Sequence, residues 1–560
     1  MPQITIEQAL QLAAQHHNGG NIEAAESMCR QVLAVVPDHR DALHLLGLNA
    51  LSTGRYNEAL QWFTKAASQF PPFASYQCDV GVVHRFLGQP EEAARCFEQA
   101  LATDPGHAVA WSNLCDTLMQ LGRVDDAIAS GLRAVAAQPP LAEAHSNLGN
   151  ALREKRRLDE ALAHFQQAMA INPNLADVHK NLACTYIEMD RWDDAIASCD
   201  RAIALQPGFG KAYLNRGTAC MGKCDIAEAE QSFRRVIECP DDHADGHWNL
   251  SIALLLSGRY EEGWREFEWR RMASVQGILG AYLQGTDKPR WDGSPAEGQT
   301  ILIYAEQGLG DVIQFSRYVP FVWEQGLAQR VVFLCPPSLA ELLQQSGEWN
   351  AEIVAYRGRD ETVLPDFDQH VALLSLPLAL GKFEPWAPPA PYLHTDPAKR
   401  ATWRERLGPA ARKKVGLVWK GNPTHVDDRR RSIDPRRLLP LFQVPGVDRY
   451  SLQLDWSDGR AANEAPEGLI DLTDHIADFT DTAAFMAELD LIISVDTATA
   501  HLAGALGRPV WLLLPFSPDW RWGLGSEATP WYSTMRLFRQ KSTGAWEEVV
   551  QRVTAELSNL

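Results

Sequence analysis

Small and apolar positions return along the first half of the chain with a fixed step. Ala25, Ala59, Ala93, Ala127, Ala161, Ala195 and Ala229 stand 34 residues apart, and Gly263 takes the next place. Four residues later come Cys29, Phe63, Phe97, Gly131, Phe165, Cys199, Phe233 and Phe267; twelve residues later come Pro37, Pro71, Pro105, Pro139, Pro173 and Pro207. The phase continues without its proline through Asp241, just after Pro240, and Val275. Gly47, Gly81, Gly149 and Gly217 precede their alanines by twelve. A tiny side chain lets two antiparallel helices cross closely, a phenylalanine one turn on fills the adjoining groove, and a proline ends the second helix. The pattern predicts about eight helix-turn-helix units, an α-solenoid over residues 1–275.

This register resembles the tetratricopeptide repeat, whose helix pairs stack into a superhelix. Asn113, Asn147 and Asn181 recur at one place in the first helix of successive units. An amide offers donor and acceptor together, so such a ladder suits the backbone of an extended peptide. A spacer, an oligomerisation arm or plain solvation fits the same residues.

From about residue 299 the pattern changes to short apolar strands between helical stretches. Strands are predicted at 300–304, 329–335, 351–356 and 370–374, then, past a proline-rich stretch, at 414–420, 449–455, 468–473, 490–496 and 509–515. A helix closes the chain at AWEEVVQRVTAEL. Strand-helix alternation implies parallel sheets covered by helices, here two doubly wound Rossmann-like domains with ligands at the carboxyl ends of the strands. The expected order is a linker over 276–298, one α/β domain over 299–395, a hinge over 396–411 and a second α/β domain over 412–560.

Each strand end then reads for chemistry. After ILIY come Gly308, Gly310 and Asp311. A dinucleotide fingerprint would need glycine where Ile313 stands, and the next strand runs into Pro336 and Pro337 instead of an acid for a ribose. The glycines are expected to turn the chain sharply and place Asp311 at the mouth of a cleft, either as an acid favoured by a helix dipole or as a general base. Lys420 follows another strand, with Asn422 in a Gly-Asn-Pro turn and Arg429, Arg430 and Arg431 beyond; these suit a diphosphate, or merely balance Asp427 and Asp428. A third strand ends at Asp496, where Thr497 and Ala498 open a helix of small residues and His501 lies one turn in. Free N–H groups, a dipole end and a hydroxyl converge there, an arrangement suited to phosphate oxygens without a metal.

The motifs GLGD (308–311), GLVWKGNP (416–423) and SVDTATAHLAGALGRPVWLLLP (494–515) resemble the heptosyltransferase-like glycosyltransferases of family 9, which have the GT-B fold. DWRWGLGSEATPWY and RLFRQ resemble the bacterial branch with tetratricopeptide repeats ahead of the transferase. The resemblance implies metal-free sugar transfer from a nucleotide-sugar donor with inversion. By that likeness Asp311 is the base, Lys420 neutralises the diphosphate, and Asp496, Thr497, Ala498 and His501 hold the donor's phosphates and sugar. Ala498 stands where the family has glycine, which bears on the donor's identity. Repeats ahead of a GT-B pair also resemble protein O-GlcNAc transferases and bacterial flagellin-modifying transferases, an architecture that implies a protein acceptor. The other readings are a transferase acting on lipopolysaccharide or another glycan, with the repeats serving as a homo-oligomerisation surface, and a non-catalytic scaffold.

Composition narrows this picture. A formal charge of -19 is unsuited to general nucleic-acid binding. The ten cysteines include no paired CxxC sites, and Cys220 and Cys224 lack a second pair for zinc. No basic, apolar, cleavable N-terminus and no apolar run of membrane-spanning length is read, and the expected location is the cytoplasm. No cofactor is expected beyond the nucleotide-sugar substrate.

Overall fold

A computed structural model of the chain describes residues 5–69, 73–239, 242–273, 286–346, 349–358, 362–387, 391–409, 411–425, 427–454 and 466–560. Pro71, Pro240, Asp241, Val275 and the first ten residues of the expected linker lie outside them. The chain divides into two compact units, Met1–Asn215 and Arg216–Leu560.

The first unit is a solenoid of antiparallel helices, from the pair Ile6–Asn18 and Ile22–Val35 to the pair Ala176–Glu188 and Trp192–Leu205. Two more pairs follow, Gly210–Gly222 with Ile226–Ile237 and His243–Leu256 with Tyr260–Phe267, and the division between the units falls within the helix Gly210–Gly222. Every alanine of the 34-residue series is fully buried, as close crossing requires. The glycines face the phenylalanines directly. A Cβ on Gly47, Gly81, Gly149 or Gly217 would fall 2.5, 2.6, 2.7 or 2.3 Å from the ring of Phe63, Phe97, Phe165 or Phe233. Where the aromatic is missing, the opposing residue grows. Buried Cys29 and Cys199 stand sixteen residues after buried Ala13 and Ala183, and Gly131 lies against the Cys115 sulfur. Volume is thus conserved across each pair, which close packing demands.

A second 34-residue series emerges only in three dimensions. The turn inside each pair passes through one residue with positive φ: Gly20, Gly54, Gly88, Gly122, Arg156, Asp190, Cys224 and Gly258. Glycine takes this conformation freely, whereas Arg156 (φ 61°), Asp190 (57°) and Cys224 (59°) hold it against the clash that disfavours L-residues there.

The α/β region carries two sheets. Strands β1 (Ala296–Tyr304), β2 (Ala328–Cys335), β3 (Ala351–Ala355) and β4 (Gln369–Ala372) form the first, in the order β3-β2-β1-β4 with all pairs parallel. Strands β5 (Lys413–Val418), β6 (Val447–Ser451), β7 (Leu469–Ile470), β8 (Leu491–Val495), β9 (Val510–Leu514), β10 (Ala528–Thr529) and β11 (Tyr532–Arg539) form the second. Its order is β10-β11-β9-β8-β5-β6-β7, parallel except for β10 against β11. The predicted strands are present, shortened mainly at their carboxyl ends, where 3-10 turns and loops begin. The β10–β11 hairpin goes beyond them: in YSTMRLFR polar positions that are exposed or half-buried interrupt the apolar ones, unlike the continuous apolar runs read as buried strands.

Within the second unit the last helix pairs pack against the α/β region. Trp264 donates its indole N–H to the Phe383 carbonyl (2.9 Å) and meets Phe315 and Trp520 edge-on at 5.7 and 5.4 Å. The Ser517 hydroxyl donates to the Met221 carbonyl (2.9 Å). Below them Arg270, 2% exposed, donates to both carboxylate oxygens of the equally buried Glu306 (2.5 and 3.2 Å), to Glu268 (2.8 Å) and to Ser375 (2.8 Å).

Candidate functional site

β1 ends at Tyr304, and Glu306, held by Arg270, anchors the turn that follows. The left-handed residue of this turn is Gln307 (φ 62°), whereas Gly308 is extended (φ -81°) and Gly310 is helical. The glycines therefore do not make the turn, as their spacing suggested; they make room. A Cβ on Gly310 would sit 2.9 Å from the His501 ring and 3.5 Å from Ala498 Cα, so its absence lets the Leu309–Phe315 helix meet the Ala498–Ala505 helix. A Cβ on Gly308 would sit 3.2 Å from the Asp311 carboxylate, which instead reaches back to accept the Gly308 N–H at 2.8 Å.

Three strand ends converge on one polar cluster. From β1 comes Asp311, from β8 Asp496, and from the segment after β9 come Asp519, Arg521 and Trp522. The buried Arg521 guanidinium bridges them: one N–H donates to Asp311, one to Asp519 (2.9 Å) and one to Gln314 (2.6 Å). The Trp522 indole N–H donates to Asp496 (2.9 Å), and its ring stacks against His501 with centroids 5.3 Å apart. His501 Nδ1 bonds the Tyr532 hydroxyl (2.9 Å), leaving Nε2 3.9 Å from Asp496. Thr497 is the N-cap of the Ala498–Ala505 helix, and its hydroxyl pairs with Ser494 (3.2 Å).

Charge balance sets the ionisation of this cluster. Three carboxylates share one buried guanidinium. Burial, then the nearby Asp519 charge, push Asp496 up to about 6 against the Trp522 N–H and the Arg521 and Arg431 charges. Burial raises Asp311 as well, opposed first by Arg521. Burial beside Arg521 and Arg317 drives His501 well below its ordinary value, so its ring is neutral at pH 7.

The sequence-derived residues divide accordingly. Gly310, Asp311, Asp496, Thr497, Ala498 and His501 lie together. Lys420 and Asn422 lie on the exposed loop after β5, where the Lys420 N–H donates to Gln453 (3.0 Å) and the Asn422 side chain accepts from Thr424. Arg430 donates to Asp427 (2.8 Å), the charge-balancing alternative for that residue. The same loop bears electrostatically on the cluster, His425 on Asp311 and Arg431 on Asp496. The amides of the solenoid contact the preceding repeat: Asn147 donates to Ser112 (3.1 Å), Asn181 to Ser146 (3.4 Å), and Asn113 is engaged by Arg85 and Cys78. Their donors tie each repeat to the one before it. Arg521, Trp522 and Tyr532 were missed as site residues, although reading the end of β9 as the other strand ends were read would have reached Arg521 and Trp522.

Repeats and sheets together define a tetratricopeptide-repeat chain with a C-terminal α/β region, and residues 17–73, 81–142 and 152–215 match the tetratricopeptide repeat family. Protein FlbA of Caulobacter vibrioides is 32% identical over 377 residues, covering 62% of this chain and 61% of that protein. The chain thus spans about three-fifths of that relative's length. Among solved structures, MamA is 31% identical over 30% of this chain and 97% of its own, with a TM-score of 0.27. A thermophilic repeat protein of Thermus thermophilus is 24% identical over 33% of this chain and 100% of its own, with a TM-score of 0.29. Among the described residues no helix is long and apolar enough to cross a membrane.

Proposed function

We propose that the α/β region is a metal-independent, inverting glycosyltransferase of the heptosyltransferase-like GT-B kind, moving a sugar from a nucleotide-sugar to a protein recruited by the repeats. The observation that carries this reading is the meeting of Asp311 and the Asp496–His501 helix start at the carboxyl ends of two parallel sheets, where doubly wound folds hold ligands. Asp311, raised by burial, takes the proton of the acceptor hydroxyl as that oxygen attacks the anomeric carbon. The bond to the diphosphate breaks, and its charge settles on the Ala498 helix N-terminus with help from Lys420. Arg521 keeps Asp311 aimed. The repeats supply protein contact; the acceptor protein and the donor sugar remain to be found by assay.

The test is nucleoside diphosphate release from a panel of nucleotide-sugars, for wild type and Asp311→Asn. Absence of turnover with every donor, in the presence of candidate acceptor proteins, would sink the proposal. Undiminished turnover in Asp311→Asn would remove Asp311 as the base. One observation favours a second reading, a binding scaffold: the Asp311 carboxylate is already engaged by Arg521 and the Gly308 N–H. That reading expects nucleotide-sugar binding without release, unaltered by Asp311→Asn.

A further inference from the structure

His243 and His247 stand one turn apart on the His243–Leu256 helix, well before Asp311 in sequence, and their Nε2 atoms lie 3.1 Å apart. The other nitrogen of each ring is held. His243 Nδ1 is 2.6 Å from the Ile237 carbonyl oxygen, and His247 Nδ1 is hydrogen-bonded to the Glu266 carboxylate. A carbonyl and a carboxylate only accept, so in two neutral rings both protons sit on Nδ1 and both Nε2 atoms carry bare lone pairs. The rings are also clamped. His247 stacks on Trp269 with centroids 4.3 Å apart and planes within 6°, while His243 meets the same indole edge-on at 5.0 Å.

Two lone pairs held this close repel unless something positive lies between them. We propose that the pair binds a late first-row divalent cation, with His243 Nε2 and His247 Nε2 as ligands and water completing the coordination. An ion about 2.0–2.1 Å from each nitrogen would subtend about 98° across the 3.1 Å gap, between the square-planar and tetrahedral values. Imidazole pairs suit copper, nickel and zinc, with Cu²⁺ held tightest. A carbonyl or carboxylate on the outer N–H is also the support that metal-bound histidines use to fix their tautomer. Among the described residues no third His, Cys, Asp or Glu joins the group, so the bound ion keeps open positions. The competing occupant is a single shared proton. This site is independent of the transferase reading.

The test uses the full chain with CuCl₂ at neutral pH, followed by electron paramagnetic resonance and by quenching of tryptophan fluorescence. Wild type should bind one equivalent more than His243→Gln/His247→Gln, with a two-nitrogen signature that the double variant loses. His145→Gln/His164→Gln, which removes another close histidine pair among the described residues, should keep it. Glu266→Gln leaves both ligands in place and covers the case in which the double variant does not fold; it should weaken binding about 10- to 100-fold. Equal Cu²⁺ binding by wild type and the double variant overturns the proposal, as does an unchanged affinity in Glu266→Gln. Uptake of one proton by the pair with no extra equivalent of Cu²⁺ overturns it in favour of the shared proton.

Discussion

Replacing Arg270 with leucine leaves Glu306 buried with one remaining hydrogen bond of those described, from the Leu374 N–H (3.1 Å). Glu268 and Ser375 lose the same partner. Breaking a buried ion pair by removing one member costs about 3–5 kcal/mol, because the other charge is left uncompensated. The expected loss in the unfolding free energy of the second unit is therefore about 3–5 kcal/mol, read from urea titrations followed by tryptophan fluorescence. Arg270→Leu/Glu306→Leu removes both charges and should recover most of that loss. The pH dependence carries a sign of its own. Burial already raises Glu306 in the wild type, and without Arg270 it rises further, so the cost of Arg270→Leu should shrink as pH falls and Glu306 becomes neutral. Glu268, held down at about 2 by Arg270, Ser375 and Arg271 despite its burial, works in the opposite sense. Its contribution is present above the ordinary glutamate value and fades as pH falls toward 2. The two effects separate between pH 5 and 8, where Glu268 is ionised throughout. A cost below about 1 kcal/mol, or one that does not shrink as pH falls, would refute charge burial as the cause.

If the α/β region is the proposed transferase, Gly310→Ala should separate the two helix starts at the site and abolish nucleoside diphosphate release, since its Cβ would meet the His501 ring at 2.9 Å. In the repeats, Gly149→Ala should destabilise the first unit by about 1–3 kcal/mol through overpacking against Phe165. Adding Phe165→Cys recreates the alanine–cysteine pairing seen at Ala13 and Cys29, so a double-mutant cycle in urea should return a favourable coupling. Arg156→Gly should raise the unfolding free energy of that unit by about 0.5–1 kcal/mol, relieving a left-handed residue at the expense of an exposed ion pair. If Asp311 is the base, kcat/KM should fall on acidification above the ordinary aspartate range, because its protonation is shifted upward; a limb at or below that range refutes the assignment.

Elements set by local periodicity were legible in the sequence. The alanine step, the facing glycines and phenylalanines, and the buried parallel strands each leave a pattern that repeats within one stretch of chain. The grouping of the candidate site was legible only where a strand end carries its own polar residues, as at Asp311, Asp496 and Thr497. Arg521 was within reach as a residue just past a strand end, but its partners, Asp311 and Gln314, lie some two hundred residues away and are brought to it only by the fold. Gln307 was hidden for the opposite reason: two glycines beside it seemed to account for the turn, yet sterics elsewhere required them. The asparagines that bond between repeats show a third limit. Regular spacing of a polar residue in a solenoid marks contact between repeats as readily as contact with a partner.

The division of the chain between Asn215 and Arg216 also separates what can vary from what cannot. Helix pairs before it can be gained or lost in whole 34-residue steps, since each leans only on its neighbours. The two pairs after it are tied through Met221, Trp264 and Arg270 to the loops that carry Ser517, Phe383 and Glu306. A change in the number of these repeats is therefore made upstream of every residue of the candidate site.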